Sequence, residues 1–156
     1  VNPDSIERDI LIEAPVDTVW RVVTEPGQIA KWFSDEASID LQPGGEGALG
    51  FDGYGSVPIV VEAVEPPHRF AYRWTGPNGS GPRPDNATLV ELTLAAEGEH
   101  TRLRLVESGL ANATPDEAAR QRFYDDHSAG WDKHLGELVE YAAGRGTRPP
   151  RAVAPR

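Results

Sequence analysis

Residues 88–107 read TLVELTLAAEGEHTRLRLVE, and this stretch decides the fold. Val90, Leu92 and Leu94 alternate with Leu89, Glu91 and Thr93; beyond Gly98-Glu99-His100, Leu103 and Leu105 alternate with Arg102 and Arg104. Successive side chains of a strand point to opposite faces, so this pattern marks strands buried on one side. Thr88–Ala95 and Thr101–Glu107 are predicted to pair as an antiparallel hairpin. The chain then changes period. Thr114-Pro115-Asp116-Glu117 is a helix start, with Thr114 as N-cap, Pro115 at the first helical position and Glu117 completing a capping box. The helix is predicted to reach Ala143, roughly 43 Å at its usual rise. Gly130 is a local weak point, and Gly144 and Gly146 end it.

Upstream of the hairpin the signals alternate in the same way. Ile6–Glu13 is a strand that Ala14-Pro15 ends. Val16, Val19, Trp20 and Val23 follow at helical spacing, Pro26-Gly27 breaks that helix, and a short one covers Gln28–Trp32. Short extended runs come next at Ala37–Leu41, Gly47–Phe51, Val57–Val64 and Arg69–Trp74, separated by the turns Pro43-Gly44-Gly45 and Glu65-Pro66-Pro67. Pro58 places the start of its strand at an edge or bulge. Phe70, Tyr72 and Trp74 share one sheet face. Residues 76–86, GPNGSGPRPDN, form a long hairpin loop. Strands in a run with helices segregated to one side make an α+β fold, an antiparallel sheet with the long helix across its concave face.

Composition narrows the function. The length of 156 residues suits one domain, residues 1–143, followed by an Arg/Pro-rich tail, 144–156, expected to be disordered. The absence of cysteine removes disulfides, thiol nucleophiles and thiolate metal centres. The net charge is −10, and four arginines with no acid in the tail leave −14 for the rest. So acidic a body repels nucleic acid and anionic lipid, and no run is long enough for a membrane span. A soluble, cytoplasmic protein without a cofactor is expected. His68, His100, His127 and His134 make no metal pattern, since His127 and His134 lie about 10 Å apart along one helix. Pro43-Gly44-Gly45-Glu46-Gly47 lacks the lysine and helix of a phosphate loop.

The long helix carries the functional signal. Arg120, Tyr124, His127, Trp131, Leu135, Leu138 and Ala142 fall on one stripe. Its C-terminal half is core material, but Arg120, Tyr124 and His127 are polar-tipped on a face that should meet the sheet. Either the helix end overhangs and keeps these tips in water, or they line a cavity and offer a ligand a few polar contacts. The second reading makes Tyr124, His127, Trp131 and Leu135 pocket residues, together with Trp32, Phe33, Phe51, Tyr72 and Trp74 from the sheet side.

Taken together, Ile12-Glu13-Ala14-Pro15-Val16-Asp17-Thr18-Val19-Trp20, Thr24-Glu25-Pro26, Lys31-Trp32-Phe33, Pro43-Gly44-Gly45, Glu65 through Trp74, Thr101 through Leu105, Glu107-Ser108-Gly109-Leu110 and Gly130-Trp131 with Leu135 and Leu138 resemble the SRPBCC (START/pollen-allergen-like) superfamily. Within it they resemble the branch named for homology to the activator of the heat-shock chaperone ATPase. The resemblance covers about residues 6–143 and implies a helix-grip fold: a curved antiparallel sheet of about seven strands, two short helices and a long C-terminal helix over a cavity. Such a cavity makes binding of a small hydrophobic or amphipathic molecule the first expectation. A cyclase-, dehydratase- or hydrolase-like enzyme is the alternative, with His127 and Tyr124 as acid–base candidates beside Glu62, Glu91 or Asp52; a co-chaperone-like interaction module is the third. No catalytic residue is carried over. A homodimer is left open, as no segment specifies pairing.

Overall fold

The alternating segments all become strands of one sheet. In the computed structural model, which describes residues 4–75, 81–83 and 85–144, β1 (Ser5–Ile12), β2 (Glu36–Ile39), β3 (Glu46–Phe51), β4 (Gly55–Glu65), β5 (Arg69–Trp74), β6 (Thr88–Glu97) and β7 (His100–Ser108) form a seven-stranded antiparallel sheet of order β1-β7-β6-β5-β4-β3-β2. Two helices, α1 (Val16–Thr24) and α2 (Pro26–Trp32), separate β1 from β2; α3 (Leu110–Ala113) and α4 (Glu117–Ala142) follow β7. This is an α+β helix-grip architecture. The expected tail beyond Gly144 and most of the loop 76–86 lie outside the described residues. No helix among those residues is long and apolar enough to cross a membrane.

The period of two is kept across the central strands. Val57, Ile59, Val61 and Ala63 of β4, Phe70, Tyr72 and Trp74 of β5, Val90, Leu92 and Leu94 of β6, and Thr101, Leu103, Leu105 and Glu107 of β7 are all buried. The outer face carries cross-strand ion pairs instead, among them Arg104 with Glu7, Arg102 with Asp9, and Arg73 with Glu62. Such solvent-screened surface pairs contribute little; the burial of the opposite face holds the sheet. Thr101 adds a tie, its hydroxyl donating to the Ala14 carbonyl at 2.8 Å where β1 hands over to α1.

Two local expectations are corrected, the cap of α4 and the start of α2. The N-cap of α4 is Asp116, whose carboxylate accepts from the Ala119 amide at 2.8 Å; the Thr114 hydroxyl turns back to the Leu110 carbonyl at 2.7 Å and closes α3. Pro26 does more than end α1, since it is also the first residue of α2, where a missing N–H costs nothing. α4 is continuous through Gly130 to Ala142. Pro58 falls inside an internal strand, but β4 starts beyond Trp74, the last β5 residue paired with it, so the missing donor sits where that side of β4 has no strand.

The core is laid between the inner sheet face and the helices. Val19, Val22 and Val23 of α1, Ile29 and Trp32 of α2, and Trp131, Leu135 and Leu138 of α4 close over it. The Trp32 indole N–H is satisfied by the Val22 carbonyl at 2.9 Å, which pins α2 against α1. Under the middle of α4 the packing is nearly complete. A void of about 20 Å³ remains among residues that include Trp32, Tyr72 and Trp131, room for about one water.

Candidate functional site

The inward phase of β7 ends on a carboxylate. Glu107 continues the series Thr101, Leu103, Leu105, so its side chain enters the core, where it is 0% exposed. A buried carboxylate costs several kcal/mol unless donors surround it. Four do. Oε2 accepts from the Thr88 hydroxyl at 2.6 Å and the Trp74 indole at 2.9 Å; Oε1 accepts from the Trp131 indole and the His127 Nδ1–H, both at 2.9 Å. The donors come from β5, β6 and α4, so this one acid ties the long helix to the sheet. Burial alone would raise the Glu107 pKa; the His127 hydrogen bond and charge, then Thr88 and Trp74, more than reverse that and hold it below the ordinary 4.5.

His127 is thereby fixed. An ionised carboxylate only accepts, so Nδ1 carries the proton and the far nitrogen, Nε2, is left to accept or be protonated. Phe123 stacks on the ring at 3.8 Å and Trp74 meets it edge-on at 5.9 Å. Beyond it opens a cleft of about 640 Å³, bounded by α4 from Phe123 to His134, the end of α2, the β3–β4 turn and the end of β5. Phe33, Phe51, Val57, Trp74, Phe123 and Trp131 make its apolar walls. Phe33, Trp74 and Trp131 lie against one another at 5.3–5.9 Å. Tyr54, Thr75, Asp126, His127 and His134 add polar groups, and Gly130 leaves open space where a side chain would stand.

Of the residues expected to line a pocket, Phe33, Phe51, Trp74, His127 and Trp131 border this cleft. Trp32 and Tyr72 border the small internal void instead. Leu135 is core, 3% exposed, and Tyr124 is half-buried against the core; neither borders the cleft. The hollow therefore sits between the middle of α4 and the end of the sheet that carries the β3–β4 turn. The expected acid–base partners are elsewhere: Glu62 pairs with Arg73 and Glu91 with Arg69 on the outer face, and Asp52 donates its backbone amide to the Asp35 carboxylate at 2.7 Å. The carboxylate beside His127 is Glu107, which the sequence reading placed only as a strand terminus. Its signal was there, since it is an acid on the inward phase of a strand.

His134 is held differently. Burial pushes its pKa below 6.5 against the opposing pull of Glu137, 3.1 Å from Nδ1, so it favours the neutral form. It meets Phe33 edge-on at 5.0 Å. Among the described residues, no group of three or more His, Asp or Glu is placed to hold a metal.

Comparison with known proteins places this geometry. A family profile described as "Activator of Hsp90 ATPase homolog 1-like protein" matches residues 13–143. No curated protein sequence matches. Among solved structures, DynU16, a protein of the dynemicin biosynthetic locus, is 28% identical with a TM-score of 0.74; the match covers 94% of this chain but only half of DynU16. CalU16 from Micromonospora echinospora is 27% identical over 96% of this chain and 79% of its own, with a TM-score of 0.68. The Aha1 dimer from Colwellia psychrerythraea shares the fold at 19% identity, covering 89% of this chain and 96% of that one, with a TM-score of 0.71.

Proposed function

Since this chain belongs to the activator of Hsp90 ATPase homolog 1-like family of the SRPBCC superfamily, a fold suited to holding ligands, we propose that it binds a small hydrophobic or amphipathic molecule in the cleft beside the middle of α4. The cleft itself carries the reading. About 640 Å³ walled by Phe33, Phe51, Trp74, Phe123 and Trp131 matches the size and character of small-molecule sites, mostly apolar with a few oriented polar groups. His127 supplies the oriented group, because Glu107 leaves it one ring position. The rigid stack of Phe33, Trp131 and Trp74 favours a flat occupant, since aromatic surfaces gain most from offset or edge contacts.

The test is direct binding of the neutral dye N-phenyl-1-naphthylamine, followed by tryptophan quenching and by its own emission. Saturable binding at one site, weakened by Gly130→Leu and left intact by an outer-face substitution such as Arg104→Gln, is expected. Binding that Gly130→Leu does not weaken would remove the cleft from the account.

A second reading, acid–base catalysis in the same cleft, is favoured by one observation, the 2.9 Å contact of Glu107 with His127. A carboxylate on one imidazole nitrogen and open space at the other is the arrangement a general base needs. The family name invites a third, chaperone-directed reading. The large apolar side chains exposed among the described residues are Leu11 on β1, Leu41 after β2, and Tyr54 at the cleft. With β1 and β2 at opposite edges of the sheet, these residues offer no continuous docking face.

A further inference from the structure

The Glu107–His127 pair restricts what the cleft can take more tightly than its apolar walls do. Nδ1–H is committed to Glu107 at 2.9 Å, and among the described residues Nε2 has no partner. In its neutral form the ring therefore presents a hydrogen-bond acceptor between Phe123 and Trp74. An apolar ligand would cover that acceptor and leave it unsatisfied, a penalty that a hydrogen-bonding ligand avoids. A ligand that arrives as an anion meets a body of net charge −14 over residues 1–143 and the exposed Asp126 at the cleft. The chemistry that satisfies Nε2 without either penalty is a hydroxyl that enters neutral and can give up its proton.

We propose that the cleft selects flat ring systems bearing an acidic hydroxyl, a phenol or enol, and binds them with the oxygen on His127 Nε2. This rests on the ligand-binding reading above and specifies its chemistry. The O–H bond breaks, the proton passes to Nε2, and the electron pair stays on the ligand oxygen. The imidazolium so formed lies between two negative oxygens, the Glu107 carboxylate on Nδ1 and the ligand oxyanion on Nε2. Glu107 is a positioning residue: it never meets the ligand, but its charge stabilises the imidazolium. Facing the same space are Asp126 and His134 from α4, Tyr54 from the β3–β4 turn and Thr75 after β5, with Tyr72 of β5 near Glu107. Asp126 is solvated, His134 favours the neutral form, and burial keeps Tyr72 protonated. None supplies a competing positive charge, so the bound oxyanion is assigned to His127.

The probe pair is 4-nitro-1-naphthol, whose ionised form absorbs at longer wavelength, and its methyl ether, which has no proton to give. Titration at pH values below the free naphthol's own midpoint should show the naphtholate band in the complex and at least tenfold tighter binding than the ether. His127→Gln should abolish both the band and the preference. Glu107→Gln, if it folds, should raise the pH at which the bound probe ionises; the comparison in the unaltered protein stands without it. Equal affinity of the two probes, with the naphthol bound in its neutral form, overturns this inference and leaves the binding reading intact. Failure of both probes and of the naphthylamine dye to bind overturns the two together.

Discussion

Replacing Glu107 by glutamine removes one charge and almost no volume, which makes its cost calculable. The carboxylate accepts four hydrogen bonds, two per oxygen. An amide has one accepting oxygen and one donating nitrogen. With the NH₂ toward β5 and β6, the Thr88 hydroxyl can rotate to accept, but the Trp74 indole N–H faces another donor. With the NH₂ toward α4, His127 can switch tautomer and accept, but the Trp131 indole N–H is stranded. An indole only donates, so either orientation leaves one buried N–H unpaired, at about 1–3 kcal/mol. The surviving bonds also lose their charge assistance, while relief of the buried charge offsets part of the total. The net loss is about 2–4 kcal/mol at pH 7. Urea unfolding followed by tryptophan fluorescence measures it as a lower midpoint at unchanged slope. The sign with pH follows from the depressed Glu107 pKa. Its stabilisation is complete above the unfolded value of 4.5 and fades as pH falls through the lower folded value. The gap between the two proteins should therefore narrow below pH 4.5. A variant within about 0.5 kcal/mol of the parent at pH 7 would refute the view that this carboxylate fastens α4 to the sheet.

Gly130→Leu projects a side chain into open cleft space from a mid-helix position, so it should block dye binding without lowering stability, since glycine costs a helix about 1 kcal/mol relative to good helix formers; thermal unfolding and a dye titration on the same sample check both. The His134 pKa is depressed below 6.5 by burial, so the folded state resists its protonation and loses stability as pH falls through 6.5. His134→Gln should flatten that part of the pH–stability curve, and an unaltered slope would refute the assignment. Asp116→Ala should cost about 1 kcal/mol through loss of the α4 cap, and Thr114→Ala clearly less, because Thr114 closes the four-residue α3; chemical denaturation of the two variants should rank them in that order.

Much of this was legible because it is local. The alternation over 88–107 specifies the hairpin and its inward face, since a period of two admits one buried phase. Arg69–Trp74 was readable to the residue, because Phe70, Tyr72 and Trp74 alternate between clear turn signals. The cap of α4 was missed by two positions: Thr114 and Asp116 are both good caps, and the choice fell to Asp116 only because the α3 turn, itself seated against β6 and the start of α4, claims the Thr114 hydroxyl.

The site was half legible. Phase alone puts Glu107 inside, and helical spacing puts His127 on the stripe of Trp131. That the two meet depends on α4 folding back over β7, and Trp74 joins them from 33 positions away. Sequence by itself determined which residues face inward, because strand and helix periods are properties of the backbone. Only the tertiary structure decided that the hollow opens beside the middle of α4, that Tyr124 and Leu135 fall outside it, and that Glu107 rather than Glu62, Glu91 or Asp52 partners His127. Those outcomes follow from where a helix of fixed pitch crosses a sheet of fixed register, and no periodicity within either element encodes that crossing.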